Sequence, residues 1–221
     1  MAETVRLTAA DGNKLDAYLA RPEGTPKGGL VVCQEIFGVN RHIRAVTDGF
    51  AAEGFLAVAP ALFDRIKPGV ALEYTAEGVA EGRALRTGLA WEDVMADVDA
   101  AVEAGREAGK VGVVGYCWGG SLAWLAACRL EVAAAVGYYG GQIHEHRQEK
   151  PRAPVMLHFG ELDDLIPHKH VAEIGRLHPA VRIFTYPAGH GFNCDARADF
   201  DEDSAGIAGE RTLAFLEEHL A

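Results

Sequence analysis

Lys110 to Ser121 reads KVGVVGYCWGGS, an apolar run that stops at a cysteine set between glycines. Few local patterns restrict a fold so tightly. Its centre, Gly115-Tyr116-Cys117-Trp118-Gly119, has the form of a glycine–x–nucleophile–x–glycine elbow with Cys in the reactive place. The spacing is steric in origin: a side chain raised on a sharp turn between a strand and a helix needs small residues two before and two after it, where the backbones pass closely. Such a turn exposes the sulfur and sets the next amide N–H, that of Trp118, at the mouth of a helix, where it can hold an oxyanion.

An elbow of this kind requires a strand before it and a helix after it, and the rest of the chain supplies the same alternation. Glu3 to Thr8 and Lys14 to Ala20 alternate apolar and polar residues around Asp11-Gly12, which predicts an antiparallel hairpin. Gly29 to Gln34 and Gly54 to Pro60 are short continuous apolar runs, the pattern of strands covered on both faces, with a helix from about Arg41 to Ala52 between them. Helical stretches are expected near Glu73 to Arg86 and Trp91 to Glu107, and in the second Val94, Val98, Ala101 and Val102 share one face. Beyond the elbow helix come strand candidates at Val132–Tyr138, Pro154–Phe159 and Val181–Tyr186, a helix near His168–His178 and a last one from about Ala205 to His219. This order predicts an α/β fold with a mainly parallel central sheet, helices on both faces and right-handed crossovers.

At 221 residues, with 49% hydrophobic and 24% charged residues, the chain fits one globular domain, 1–221. Met1 to Arg6 lack the basic start of a signal peptide, and no apolar run approaches the roughly 18 residues of a membrane span, so the expected location is the cytoplasm. The net charge of −11 argues against nucleic acid and anionic membranes as partners, though a small anionic substrate is allowed where arginines make a site locally positive. The four cysteines are widely spaced with no C-x-x-C pair; Cys33, Cys128 and Cys194 are expected to be core or loop thiols rather than disulfides. A monomer or small homo-oligomer is expected.

In a parallel sheet the functional groups gather at the carboxyl ends of the strands. Four of those ends carry chemistry: Gln34-Glu35-Ile36-Phe37-Gly38, then Cys117, then Gly160-Glu161-Leu162-Asp163-Asp164, then Gly189-His190-Gly191. Nucleophile, acid, histidine is the α/β-hydrolase order, and it makes Cys117, Asp163 or Asp164, and His190 a candidate triad.

Gln34 to Asn40, Gly115 to Gly120, Val136-Gly137-Tyr138-Tyr139-Gly140 and Ala188-Gly189-His190 together resemble the dienelactone hydrolase (carboxymethylenebutenolidase) family, cysteine members of the α/β-hydrolase superfamily. The resemblance implies an Asp-x-x-[Val/Ile]-Pro acid segment, which here is Asp163 to Pro167 and favours Asp163. It implies a thiol paired at rest with Glu35 that turns to His190 when substrate displaces the carboxylate, and an oxyanion hole of Ile36 and Trp118 N–H groups. The implied reaction is cofactor-free and metal-free opening of dienelactone to maleylacetate.

The family grips an anionic substrate with arginines, and the sequence matches that part less closely. Arg83 and Arg86 lie in the excursion where one is expected, while Arg197 comes too late after His190 for a simple match; Arg41 and Arg44 are also available. Phe37 and Trp118 are candidate pocket walls. Two other readings stand beside this one: a broader small-ester or thioester hydrolase, and a non-catalytic or redox-sensing protein that uses Cys117. A metal alternative rests on His144-x-His146 and His168-x-His170 with Asp163, Asp164 and Cys194, but His144 and His146 lie in a charged stretch that reads as a solvated loop.

Overall fold

The computed structural model describes residues 1–221. Strands β1 (Ala2–Thr8) and β2 (Lys14–Ala20) form the expected hairpin, with Leu7 opposite Leu15 and Gly12 at φ 88° in the turn. β2 turns Leu15, Ala17 and Leu19 inward on alternate residues, which fixes its register because a slip of one would expose all three. It then pairs antiparallel with β4 (Leu56–Pro60).

From β4 onward the sheet is parallel. β3 (Gly29–Cys33), β5 (Val111–Tyr116), β6 (Ala134–Tyr138), β7 (Val155–Gly160) and β8 (Arg182–Tyr186) complete an eight-stranded sheet in the order β1-β2-β4-β3-β5-β6-β7-β8. β3 to β7 are buried at every residue, so both faces are covered, as their continuous apolar sequences require. β8 at the edge is only partly buried. One cluster of 52 buried residues runs from Leu7 in the hairpin to Leu220, so the hairpin and the parallel sheet share a core.

The covering helices are α1 (Arg41–Ala52), α2 (Ala76–Thr87), α3 (Trp91–Gly105), α4 (Trp118–Arg129), α5 (His168–Leu177) and α6 (Glu202–Leu220). Asn40 caps α1 by accepting from the Ile43 N–H. α6 starts three residues before the Ala205 expected from sequence, because the Asp201 carboxylate accepts from the Ser204 N–H and caps it there. α2 starts at Ala76 rather than Glu73 for the same reason, with Thr75 as its cap. α3 buries Val94, Val98, Ala101 and Val102 as its periodicity predicts, and it also buries Asp97 on that face. That carboxylate is held by Arg65 Nε at 2.6 Å and Asn13 Nδ2 at 2.9 Å. No helix is long and apolar enough to cross a membrane.

Candidate active site

The elbow geometry follows from its two glycines. A Cβ on Gly115 would lie 1.9 Å from the Gly119 carbonyl oxygen, and one on Gly119 would lie 2.2 Å from that of Cys33, so neither position can carry a side chain. Between them Cys117 has φ 54°, in the left-handed region that a non-glycine residue rarely occupies, and its N–H is fixed by the Tyr138 carbonyl at 3.0 Å. α4 begins at the next residue, so the Trp118 N–H belongs to a first helical turn, whose N–H groups have no intrahelical partner.

Because β3, β5, β7 and β8 are parallel, the loops after them meet at one edge of the sheet. His190 Nε2 lies 3.2 Å from Cys117 Sγ, and His190 Nδ1 lies 2.7 Å from Asp163 Oδ2. Asp163 is buried and its other oxygen accepts from the Leu165 N–H at 2.8 Å, whereas Asp164 is exposed. Burial alone would lower the imidazole's pKa. The hydrogen bonds to Asp163 and Cys117, with the charges of both, outweigh it and raise His190 to about 10. Such an imidazole readily holds a proton taken from the thiol.

Glu35 is fully buried in the loop after β3, beside this group. The resemblance implied a resting Cys117–Glu35 pair; instead the thiol's hydrogen-bond partner is His190, and Glu35 Oε1 accepts from Arg197 Nη1 at 3.3 Å. Glu35 Oε2 is buried with no partner. Burial and then the Glu35 charge push the Tyr139 phenol far up, so it stays protonated. The loop itself is pinned from the excursion: Gly38, at φ 78°, packs on the Val70 carbonyl, and Gly82 of α2 packs on the Ile36 carbonyl so closely that a Cβ would lie 2.0 Å from either oxygen.

A cleft of about 590 Å³ opens over Cys117 and His190. Ile36, Trp118, Phe37, Arg83 and Arg86 all line it. Phe37 packs on Tyr74 at 4.4 Å between ring centres and Trp118 stacks on Phe63 at 5.4 Å, so both walls are braced from behind. Arg86 lies over the Trp91 ring at 5.3 Å.

Arg197 also lines the cleft, although it comes late after His190 in the chain. The turn after His190 brings it back. Gly191, at φ 83°, lets the chain fold so that the Arg197 guanidinium crosses where a Cβ would lie 2.7 Å away. The one signal in the sequence is that glycine directly after the histidine. Arg44 is turned elsewhere, donating to the Val39 carbonyl and lying over Tyr18.

The two histidine pairs do not form a metal site. His144 Nε2 bonds Glu173 at 2.7 Å and stacks on His170 at 3.6 Å, His146 Nδ1 bonds Glu149 at 3.0 Å, His168 is exposed, and Asp163 is committed to His190. The stretch that reads as a solvated loop is half-buried, because Arg129 clamps Glu149 through two bonds of 2.7 and 2.8 Å. The four cysteines are all free; Cys33 and Cys194 are buried and Cys128 is half-buried.

The sequence matches the dienelactone hydrolase family over residues 15–220. It is 33% identical to a carboxymethylenebutenolidase of Pseudomonas putida over 98% of this chain and 96% of that one, and 32% identical to another from Pseudomonas sp. strain P51 over 98% and 95%. A Klebsiella pneumoniae crystal structure, provisionally named a dienelactone hydrolase, superposes with a TM-score of 0.85 at 29% identity over 99% of this chain and all of that one. A sheet of this order, a cysteine elbow within it and a full-length match of this kind identify a hydrolase of lactones or esters: the chain belongs to the dienelactone hydrolase family.

Proposed function

We propose that the protein opens dienelactone (4-carboxymethylenebut-2-en-4-olide) to maleylacetate, with Cys117 as nucleophile, His190 as proton carrier and Asp163 as its orienting acid. The observation that carries this is the unbroken relay from Asp163 through His190 to the Cys117 sulfur, at 2.7 and 3.2 Å, on the floor of a cleft lined by arginines.

The steps follow from those contacts. His190 Nε2 takes the thiol proton and the thiolate attacks the lactone carbonyl. The oxygen that becomes negative is held by the Ile36 and Trp118 N–H groups, each donor contributing about 3 kcal/mol in sites of this type. The ring C–O bond breaks, and the departing enolate takes the proton from His190 and settles as the ketone. Water then gives a proton to His190 and attacks the thioester; the C–S bond breaks and the thiol is regenerated with that proton. Imidazole carries one proton in each direction.

Recognition falls to Arg197, with Arg83 and Arg86 across the cleft. A substrate carboxylate that reaches Arg197 competes with Glu35 for the same guanidinium. Released from it, a buried carboxylate beside the thiol offers a second proton acceptor, and this is the role proposed for Glu35.

A broader small-ester hydrolase is the second reading, favoured by the cleft's volume and its extension toward His144 and His170. Turnover of dienelactone set against a series of p-nitrophenyl esters separates the two: the first reading expects a kcat/KM for the lactone well above that for any neutral ester. Cys117→Ala should abolish both activities, and unchanged lactone turnover in that variant would overturn the assignment.

A further inference from the structure

His42, Cys194 and Asp195 come together on the far side of the Glu35 loop, outside the reaction cleft. A ring nitrogen of His42, the Cys194 sulfur and a carboxylate oxygen of Asp195 lie within 4.8 Å of one another. The geometry points to a site for a divalent cation of the zinc class, coordinated by these three side chains.

Several observations support it independently of the residue types. His42 Nδ1 lies 2.9 Å from Asp195 Oδ1, and His42 Nε2 is buried with no partner although the side chain is only 6% exposed. The Asp195 contact lies on the Nδ1 side of the ring, so Nδ1 is the nitrogen placed to share an ion with that carboxylate, the proton then sitting on Nε2. The buried Tyr74 hydroxyl faces Cys194 and Asn40 on the same side. His42, Tyr74 and Asp195 line a separate cavity of about 450 Å³, which supplies an entry path and space for a water as fourth ligand.

The dimensions and chemistry suit zinc better than the alternatives. Tetrahedral zinc with bonds of about 2.0–2.3 Å sets neighbouring donors roughly 3.3–3.8 Å apart, so donors up to 4.8 Å apart close by about 1 Å on binding. A thiolate and an imidazole discriminate against magnesium and calcium, which take oxygen donors. Arg41 and Glu73 line the same cavity with opposite charges, which leaves the Asp195 carboxylate as net attraction. On binding, the Cys194 thiol releases its proton to solvent and a sulfur–metal bond replaces it.

The ligands also join two functional loops. His42 is the second residue of α1, just after the loop that carries Glu35, while Cys194 and Asp195 lie between His190 and Arg197. An ion bound there clamps the Glu35 loop to the Arg197 turn.

Cobalt(II) titration of the chelator-stripped protein tests the site without reference to activity. The expected result is a thiolate-to-cobalt absorption band that saturates at one equivalent and is displaced by zinc. It should persist in Cys117→Ser and vanish in Cys194→Ser. Asp195→Asn, at an exposed position where folding is not at risk, should weaken cobalt at least tenfold. No band in the wild-type protein, a band that survives Cys194→Ser, or one that vanishes in Cys117→Ser overturns the proposal. If Cys194→Ser loses its native circular dichroism, undiminished cobalt affinity in Asp195→Asn does so instead.

Discussion

Cys117 with His190 and Asp163, and Cys194 with His42 and Asp195, use the same three residue types in one molecule. Their surroundings differ in every respect that matters for reactivity. Cys117 stands on a left-handed turn at the start of α4, open to the cleft, with an imidazole nitrogen at its sulfur. Cys194 is fully buried, and burial followed by the Glu35 charge pushes its thiol up to about 11. His190 is gripped by its aspartate on one nitrogen and faces the thiol with the other, whereas His42 holds a solvent-exposed aspartate and leaves its second nitrogen unused. Residue types alone therefore do not set a thiol's surroundings; the turn it stands on and its hydrogen bonds do.

The largest expected effect breaks the comparison at the sulfur. Cys117→Ala should lower lactone turnover by on the order of 10⁴-fold or more, the scale seen when a triad nucleophile is removed. Alkylation sharpens the same contrast. Iodoacetamide followed by peptide mass spectrometry should label Cys117 first, and a lactone analogue should slow it. Cys194, whose thiol burial pushes up, should react only on unfolding. Equal labelling of the two thiols in the folded protein would remove the distinction.

Next comes the turn that creates the difference. Gly115→Ala drives a Cβ into the Gly119 carbonyl, so strand and helix must separate, and a loss of about 3 kcal/mol or more is expected in urea denaturation. Gly12→Ala is the control: its φ of 88° is strained for alanine but nothing lies within 4 Å, and about 1 kcal/mol is expected. Similar losses at both positions would mean the close approach at the elbow is not what glycine serves.

How much of this was visible beforehand depends on the range of the contacts. Strands β3 to β7 and the elbow are written in local patterns, a continuous apolar run or a glycine spaced two residues from Cys117, and these were legible. Asp97 was not, because its partners Arg65 and Asn13 are 32 and 84 residues away and helical periodicity marks its face as apolar. Arg197 is a similar case. Its guanidinium meets Glu35 across 162 residues, and only the reversal at Gly191 brings it there. His42 beside Asp195, 153 residues apart, has no local signature at all.

Arg197 is also the thread between the two cysteine sites, three residues from Cys194 and hydrogen-bonded at the reaction cleft. Arg197→Gln removes a charged hydrogen bond, typically about 2 kcal/mol, and should raise KM for dienelactone about 30-fold with a smaller change for a neutral p-nitrophenyl ester. A uniform loss on both substrates would instead indicate that Arg197 acts only by holding Glu35 in place.

The smallest effect concerns what partners do to a buried histidine, and it extends the comparison to a third one. His158 bonds the Tyr186 hydroxyl at 2.8 Å and Thr212 Oγ1 at 3.1 Å, and no carboxylate is among its partners. Burial, reinforced by the Arg211 charge, lowers its pKa to about 3, while Asp163 and Cys117 raise His190 to about 10. Between about 3 and 6.5 the unfolded chain binds a proton that folded His158 refuses, so its contribution is full above 6.5 and is lost as pH falls through that window. His190 titrates together with the Cys117 thiol, and a proton passed from sulfur to imidazole leaves the pair's total unchanged, so His190 gives no matching slope on the alkaline side. His158 can add a slope of up to about 1.4 kcal/mol per pH unit. Urea midpoints of the wild-type protein and His158→Gln, compared from pH 4 to pH 9, should differ in slope only on the acid side. A difference in slope above pH 6.5 would mean that the two histidines are not independent, and that the core beneath β7 senses the charge on the relay.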